Sequence, residues 1–122
     1  MPDRSNTQIE PAAPDSPAAE AILRAYTADI AGRYHGRPAT QEEIDAALRA
    51  APSDDLAPPK GIFLVARTGG RIIGCAGLRV LQGDVGEVKR VFVIPAARGR
   101  GIGTGLLREL EHRAAGCGLT RL

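Results

Sequence analysis

Hydrophobic and polar positions change period twice along the chain. Between residues 17 and 51 the apolar positions recur every three or four residues. From 61 to 94 they form unbroken or alternating runs, and beyond 101 the helical spacing returns. The first stretch predicts two helices. Ser16-Pro17 open the first, with Ser16 as N-cap and Pro17 at the first helical position. Ala19, Ile22, Leu23, Tyr26 and Ile30 make its stripe, and Gly36-Arg37-Pro38 ends it. The second helix starts on the capping box Thr40-Gln41-Glu42-Glu43, carries Ile44, Ala47, Leu48 and Ala51, and stops at Pro52. Pro52 to Pro59 reads as a surface loop.

The next stretch predicts strands. Ile62-Phe63-Leu64-Val65-Ala66 is continuously apolar, as a strand covered on both faces would be. Gly69-Gly70 forms a tight hairpin turn. Ile72 to Leu81 is the following strand, with Gly74 and Gly77 as bulges or points of close packing. Gln82-Gly83-Asp84 turns the chain into Val85–Ile94. A third helix covers about Gly103 to Ala115, with Ile102, Leu106, Leu107 and Leu110 apolar and a Glu109–Arg113 ion pair on its surface. Gly116 and Gly118 end it, and Leu119–Leu122 begins another strand. Residues 1–17 hold four of the nine prolines and read as a mostly flexible segment, apart from a short edge strand at Asn6–Glu10 that Pro11 ends. Residues 18–122 then form a single α+β (mixed α/β) domain. A helix between strand 85–94 and a strand starting near Leu119 makes that pair parallel, by a right-handed crossover.

Composition narrows the functional classes. The chain has 122 residues, 43% of them hydrophobic, enough for one core. Aromatics are 3%, Trp is absent and the net charge is +2, which argues against nucleic acid as a partner. No apolar run is long enough to span a membrane. Two cysteines, Cys75 and Cys117, behind an N-terminus unlike a signal peptide, suit reduced thiols in a cytoplasm. Neither has a paired base, so nucleophilic catalysis is not indicated, and no cluster suggests a metal.

The chemistry concentrates in Arg98-Gly99-Arg100-Gly101-Ile102-Gly103, between the run Val91-Phe92-Val93-Ile94-Pro95 and the third helix. Backbone N–H groups at a helix start are unpaired and the dipole there favours anions; glycines let the backbone come close. A dinucleotide fingerprint needs a leading βαβ unit, and a P-loop needs Gly-Lys-Ser/Thr; neither is present. The stretch from Val91 to Leu107 resembles the acyl-CoA-binding motif of the GNAT superfamily of N-acetyltransferases. Its pattern, Gln/Arg-x-x-Gly-x-Gly/Ala, is met by Arg98, Gly101 and Gly103, and the order of elements from Ile9 onward is also similar. The resemblance is strong over residues 61–122 and rests on element order alone over residues 1–60.

That resemblance implies an acyl-CoA N-acyltransferase-like fold: a central, mostly antiparallel sheet flanked by helices, here without the C-terminal strands. It implies acetyl-CoA as co-substrate and an amine acceptor as the second partner. The N–H groups of Gly99, Arg100, Gly101, Ile102, Gly103 and Thr104 would cradle the CoA pyrophosphate, with Arg98 and Arg100 adding charge; Arg100 could instead be an ordinary surface cation. Val91, Phe92 and Val93 would bind pantetheine and the thioester carbonyl through their main chain, where an N–H also steadies developing negative charge.

An amine of pKa about 10.4 is about one part in a thousand neutral at pH 7, so a base or a relaying water helps. Glu87 is the candidate catalytic base, on the same strand as the cofactor contacts and where several family members carry a glutamate. The competing reading is a solvent-facing residue paired with Lys89 or an arginine. Strict alternation mixes Glu87, Lys89, Val91 and Val93 on one face, and a bulge in this strand would separate them. The family's usual proton donor to the leaving thiolate is a tyrosine beyond the next strand, a segment these residues do not include. Tyr26 and Tyr34 read as packing residues, with Tyr34-His35 a weaker candidate for the acceptor pocket. His112 reads as solvated.

The expectation is thus an N-acetyltransferase domain cut short, either as a fragment or by an interrupted frame. The third explanation is a shortened protein completed as a homodimer. The rival function is an inactive CoA-binding or interaction module.

Overall fold

Cap residues set the helix ends. The computed structural model describes residues 6–122; the first five residues of the proline-rich start lie outside the described residues. Helix α1 spans Pro17–His35: Ser16 Oγ accepts from the Ala19 N–H, and Gly36, at φ 69°, closes the other end. Helix α2 spans Gln41–Ala50 behind a complete Thr40/Glu43 capping box. Helix α3 spans Ile102–Gly116 and starts at Gly101, at φ 78°, with no side-chain cap.

Four strands, β1 Thr7–Pro11, β2 Gly61–Thr68, β3 Arg71–Val80 and β4 Gly86–Val93, form one sheet in that order, each pair antiparallel. Gly69 and Gly70, at φ 54° and 85°, make the two-residue turn between β2 and β3. Past α3 the chain returns beside β4, where a single parallel bridge joins Val85 to Arg121 and the Gly86 N–H donates to the Arg121 carbonyl at 2.7 Å. The parallel return expected near Leu119 is present as that bridge. Along the rest of β4 the outer edge carries no strand among the described residues. The α+β layout expected from the pattern is the one observed.

The sheet is covered on both faces, and β2 shows why its sequence is unbroken: Phe63, Leu64, Val65 and Ala66 are all buried. Leu64 and Ala66 join Ile102, Leu106, Leu110 and Ala114 of α3. Phe63 and Val65 join Ala19, Ile22 and Leu23 of α1, with Leu56 beneath. Gly74 and Gly77 keep these layers close. A Cβ on Gly74 would lie 3.3 Å from Leu106 Cδ1 of α3, and one on Gly77 2.8 Å from Leu56 Cδ1.

The β3–β4 register slips between Cys75, opposite Phe92, and Gly77, opposite Lys89. One residue of β3 therefore faces two of β4, and Arg90 takes φ 60°. This is the bulge that the mixed face called for, and it reverses the parity of the strand. Val88 packs in the α3 layer, yet Phe92, four residues on, packs in the α1 layer and Val93 against α3.

Two apolar residues depart from the predicted stripes. Ile30 is 48% exposed, where α1 runs past the sheet, and Leu107 is 37% exposed on the outer face of α3, between the fully buried Leu106 and Leu110. Ala51 lies outside α2, as its C-cap. No described helix is long and apolar enough to cross a membrane.

Candidate functional site

The glycine loop opens onto a cleft of about 520 Å³. One wall is the loop and the start of α3, with Gly99, Gly101, Ile102, Gly103 and Thr104. Another is the outer edge of β4 at Val91, Phe92 and Val93, and the third is the end of α1. The sequence folds this way because Pro95–Ala97 form a single 3-10 turn that reverses the chain at the end of β4. Gly99 and Gly101 then hold φ 83° and 78°, conformations that an L side chain resists. Among the described residues, nothing accepts a hydrogen bond from the N–H of Gly99, Gly101, Ile102, Gly103 or Thr104. The first inward bond is Gly105 N–H to the Gly101 carbonyl at 3.0 Å. A run of free donors at a helix N-terminus is an anion receptor.

Val93 turns its carbonyl away from β3. The next residue, Ile94, donates its N–H to Ile73 at 2.9 Å, so Val93 faces the open edge. There Arg98 Nε donates to the Val93 carbonyl at 2.9 Å, and the Arg98 guanidinium lies 5.7 Å over the Phe92 ring. Phe92 in turn meets Tyr26 edge-on at 6.0 Å. Arg98 thus ties the loop to the strand. Arg100 does not line this cleft; it lines a separate groove with Thr68, Gly69 and Arg71.

Glu87 also stands apart from the cleft. It is opposite Arg79 across the β3–β4 ladder and accepts from Arg79 Nη2 at 2.7 Å, while Asp55 reaches the same guanidinium at 3.5 Å. The Glu87 side chain is 42% exposed and so open to water. Beyond it the bulge residue Arg90 donates to Ser53 Oγ and the Ala51 carbonyl, both at 3.1 Å, pinning the loop after α2 to β4.

A second cleft, about 370 Å³, runs between α1 and α2. Tyr26 and Ile30 form the partition between it and the first, and Arg90, Tyr34, His35 and Glu43 line it. Tyr34 is 85% exposed, so packing does not explain it. Glu43 is the electrostatic anchor here. Its bidentate bond to Arg37, with the Thr40 N–H and His35 adding to it, holds its carboxyl down at about 2. Cys75 is fully buried, and burial pushes its thiol up to about 12; Cys117 is exposed. A larger hollow, about 780 Å³, lies against Pro58, Phe63 and His112 and touches none of the loop. No group of three or more His, Cys, Asp or Glu gathers as a metal site among the described residues.

Asp29 and Arg33 of α1 line the loop cleft and were not foreseen from the sequence. The available signal was their spacing: with Tyr26 and Ile30 they complete an i, i+3, i+4, i+7 face.

A model described as the Acetyltransferase (GNAT) family matches residues 21–122. An IAA acetyltransferase of Azospirillum brasilense is 47% identical over 68 residues, 55% of this chain and 44% of that protein. The N-alpha-acetyltransferase RimI of Mycobacterium tuberculosis is 43% identical over 70 residues, again 55% and 44%. The chain covers less than half the length of either relative. Among solved structures, the PaiA N-acetyltransferase of Thermoplasma acidophilum, in complex with coenzyme A, superposes with a TM-score of 0.70 at 20% identity. It covers 93% of this chain and 74% of that one, and at that identity the likeness is one of fold.

Proposed function

Because the chain belongs to the acetyltransferase (GNAT) family, we propose that it binds acetyl-CoA in the loop cleft and that the protein moves the acetyl group to a primary amine. The observation that carries this reading is the set of unpaired N–H donors of Gly99, Gly101, Ile102, Gly103 and Thr104, beside the outer edge of β4 at Val91–Val93. The residues present fit the group. At Gly103 an added Cβ would meet only Val93 Cγ2, at 3.8 Å, so the missing side chain leaves room in the cleft itself.

Bound acetyl-CoA supplies the activated acyl group. The donors of Gly99, Gly101, Ile102, Gly103 and Thr104 hold its diphosphate, helped by Arg98. Along the outer edge of β4 the backbone at Val91 and Val93 would hold the pantetheine arm, with Arg98 giving up the Val93 carbonyl, while Phe92, opposite Cys75 in the ladder, would contribute its ring. Tyr26 and Phe92 form the apolar wall that keeps water from the acyl group. The acceptor amine enters from the α1–α2 cleft, on the other side of Tyr26 and Ile30. Glu87, open to solvent, would take the amine's proton through water as the C–N bond forms and the C–S bond breaks, CoA departing as its thiolate.

Titration calorimetry with acetyl-CoA tests the first half of this reading, and mass spectrometry of a panel of primary amines incubated with chain and acetyl-CoA tests the second. The expected results are saturable one-to-one binding and an acetylated amine. A folded chain that leaves acetyl-CoA unbound refutes the proposal, and binding without any acetylated amine refutes its second half.

A further inference from the structure

The cations in the loop cleft are not the pair that the loop sequence suggests. A CoA diphosphate brings about two negative charges, and the loop offers Arg98 and Arg100. Arg98 already spends its Nε on the Val93 carbonyl, and Arg100 lies in the groove beside Thr68 and Arg71. The cleft does hold a second arginine, from across the gap: Arg33 of α1, opposite the loop donors.

We infer that Arg33 is the second cation on the acetyl-CoA diphosphate, closing over it from α1 while the loop N–H groups hold it from the other side. The inference rests on the acetyl-CoA reading above. Three observations support it. Arg33 shares one helix face with Tyr26 and Ile30, and both of those line the cleft too. Its side chain is 67% exposed, so no packing has to be broken for it to swing inward. Asp29, one turn earlier on the same face, takes a single contact from Arg33 Nη2 at 3.1 Å. That leaves most of the guanidinium's five donors free, and two parallel N–H bonds match a phosphate edge. Asp29 is also the one acidic side chain lining the cleft. Its pairing with Arg33 offsets a charge that would otherwise repel the ligand.

Calorimetric titration of the intact chain with CoA and with dephospho-CoA, at low and high salt, tests this. Arg33→Gln is expected to raise Kd for both ligands by about tenfold, the scale of one charge-assisted contact, and to flatten the salt dependence. Arg100→Gln is expected to leave both within about twofold, since a surface cation outside the cleft adds little. Unchanged melting temperatures in both variants show that the fold is intact. Equal Kd values for Arg33→Gln and the unaltered chain overturn the inference. So does a loss confined to CoA, because Arg33 would then contact the 3′-phosphate instead. If the unaltered chain binds neither ligand, it is the acetyl-CoA reading itself that fails.

Discussion

Two glycines two residues apart in the loop should respond oppositely to substitution. Gly101 is the N-cap of α3 and sits at φ 78°. Replacing it with alanine forces a Cβ into the left-handed region, at a cost of about 1–2 kcal/mol. For a domain of this size that is a fall in Tm of about 4–10 °C. Gly103 lies inside the first turn of α3, and the space at its Cβ holds only Val93 Cγ2, at an ordinary 3.8 Å. Gly103→Ala therefore removes a poor helix former without a clash and gains up to about 1 kcal/mol. Gly103→Leu keeps that gain but extends side-chain atoms toward Val93, into the cleft of about 520 Å³. It should weaken CoA by at least about tenfold, or 1.4 kcal/mol. Thermal melts and calorimetric titration of the three variants separate the effects. The reasoning is refuted if Gly103→Leu binds CoA as the unaltered chain does, or if Gly103→Ala melts as low as Gly101→Ala.

Glu87→Gln should lower kcat at neutral pH by about a hundredfold or more while leaving KM for acetyl-CoA unchanged, the pattern of a lost general base; equal kcat values would assign the carboxylate to its Arg79 pair alone. Glu43 has a carboxyl held below its ordinary range, so it stabilises the fold above about pH 4.5, and that contribution is lost as pH falls toward about 2. Glu43→Gln should accordingly melt lower than the unaltered chain at pH 7, with the gap closing in acid; a gap independent of pH would contradict the Arg37 pairing as its cause. In the native protein at mild alkaline pH, a thiol-specific disulfide reagent should label Cys117 within minutes and spare Cys75 until the chain is denatured.

What the sequence disclosed were features set by neighbours in the chain. Ser16-Pro17, the Thr40/Glu43 box, Gly69-Gly70 and the Glu109–Arg113 pair, seen at 2.7 Å, each depend on residues within one turn, and all appear as read. The bulge was legible as a conflict of faces, but its position was not. Arg90 is an unusual residue for φ 60°, and it is held there by Ser53 and Ala51, 37 and 39 residues away. Arg100 and Arg33 illustrate the same limit in the site. Their chain positions put one next to the loop glycines and the other in an ordinary helical ion pair. The crossing of α1 over the end of β4 reverses which of them lines the cleft. Ile30 read as core because its spacing is that of a core residue, yet α1 at that point has outrun the sheet.

The bond from Arg98 Nε to the Val93 carbonyl makes this side chain a resident tenant of the strand edge. Any ligand amide that claims that carbonyl exchanges one hydrogen bond for another and gains little affinity there. Its return lies in alignment of the arm and in a guanidinium released toward the phosphates. Removing the side chain would vacate the carbonyl and delete a charge together, two changes of opposite sign. A modest net effect of Arg98→Ala on Kd is therefore compatible with a central place in the cleft. Arg98 should declare itself in the salt dependence of the association rate, which flattens when its charge is gone.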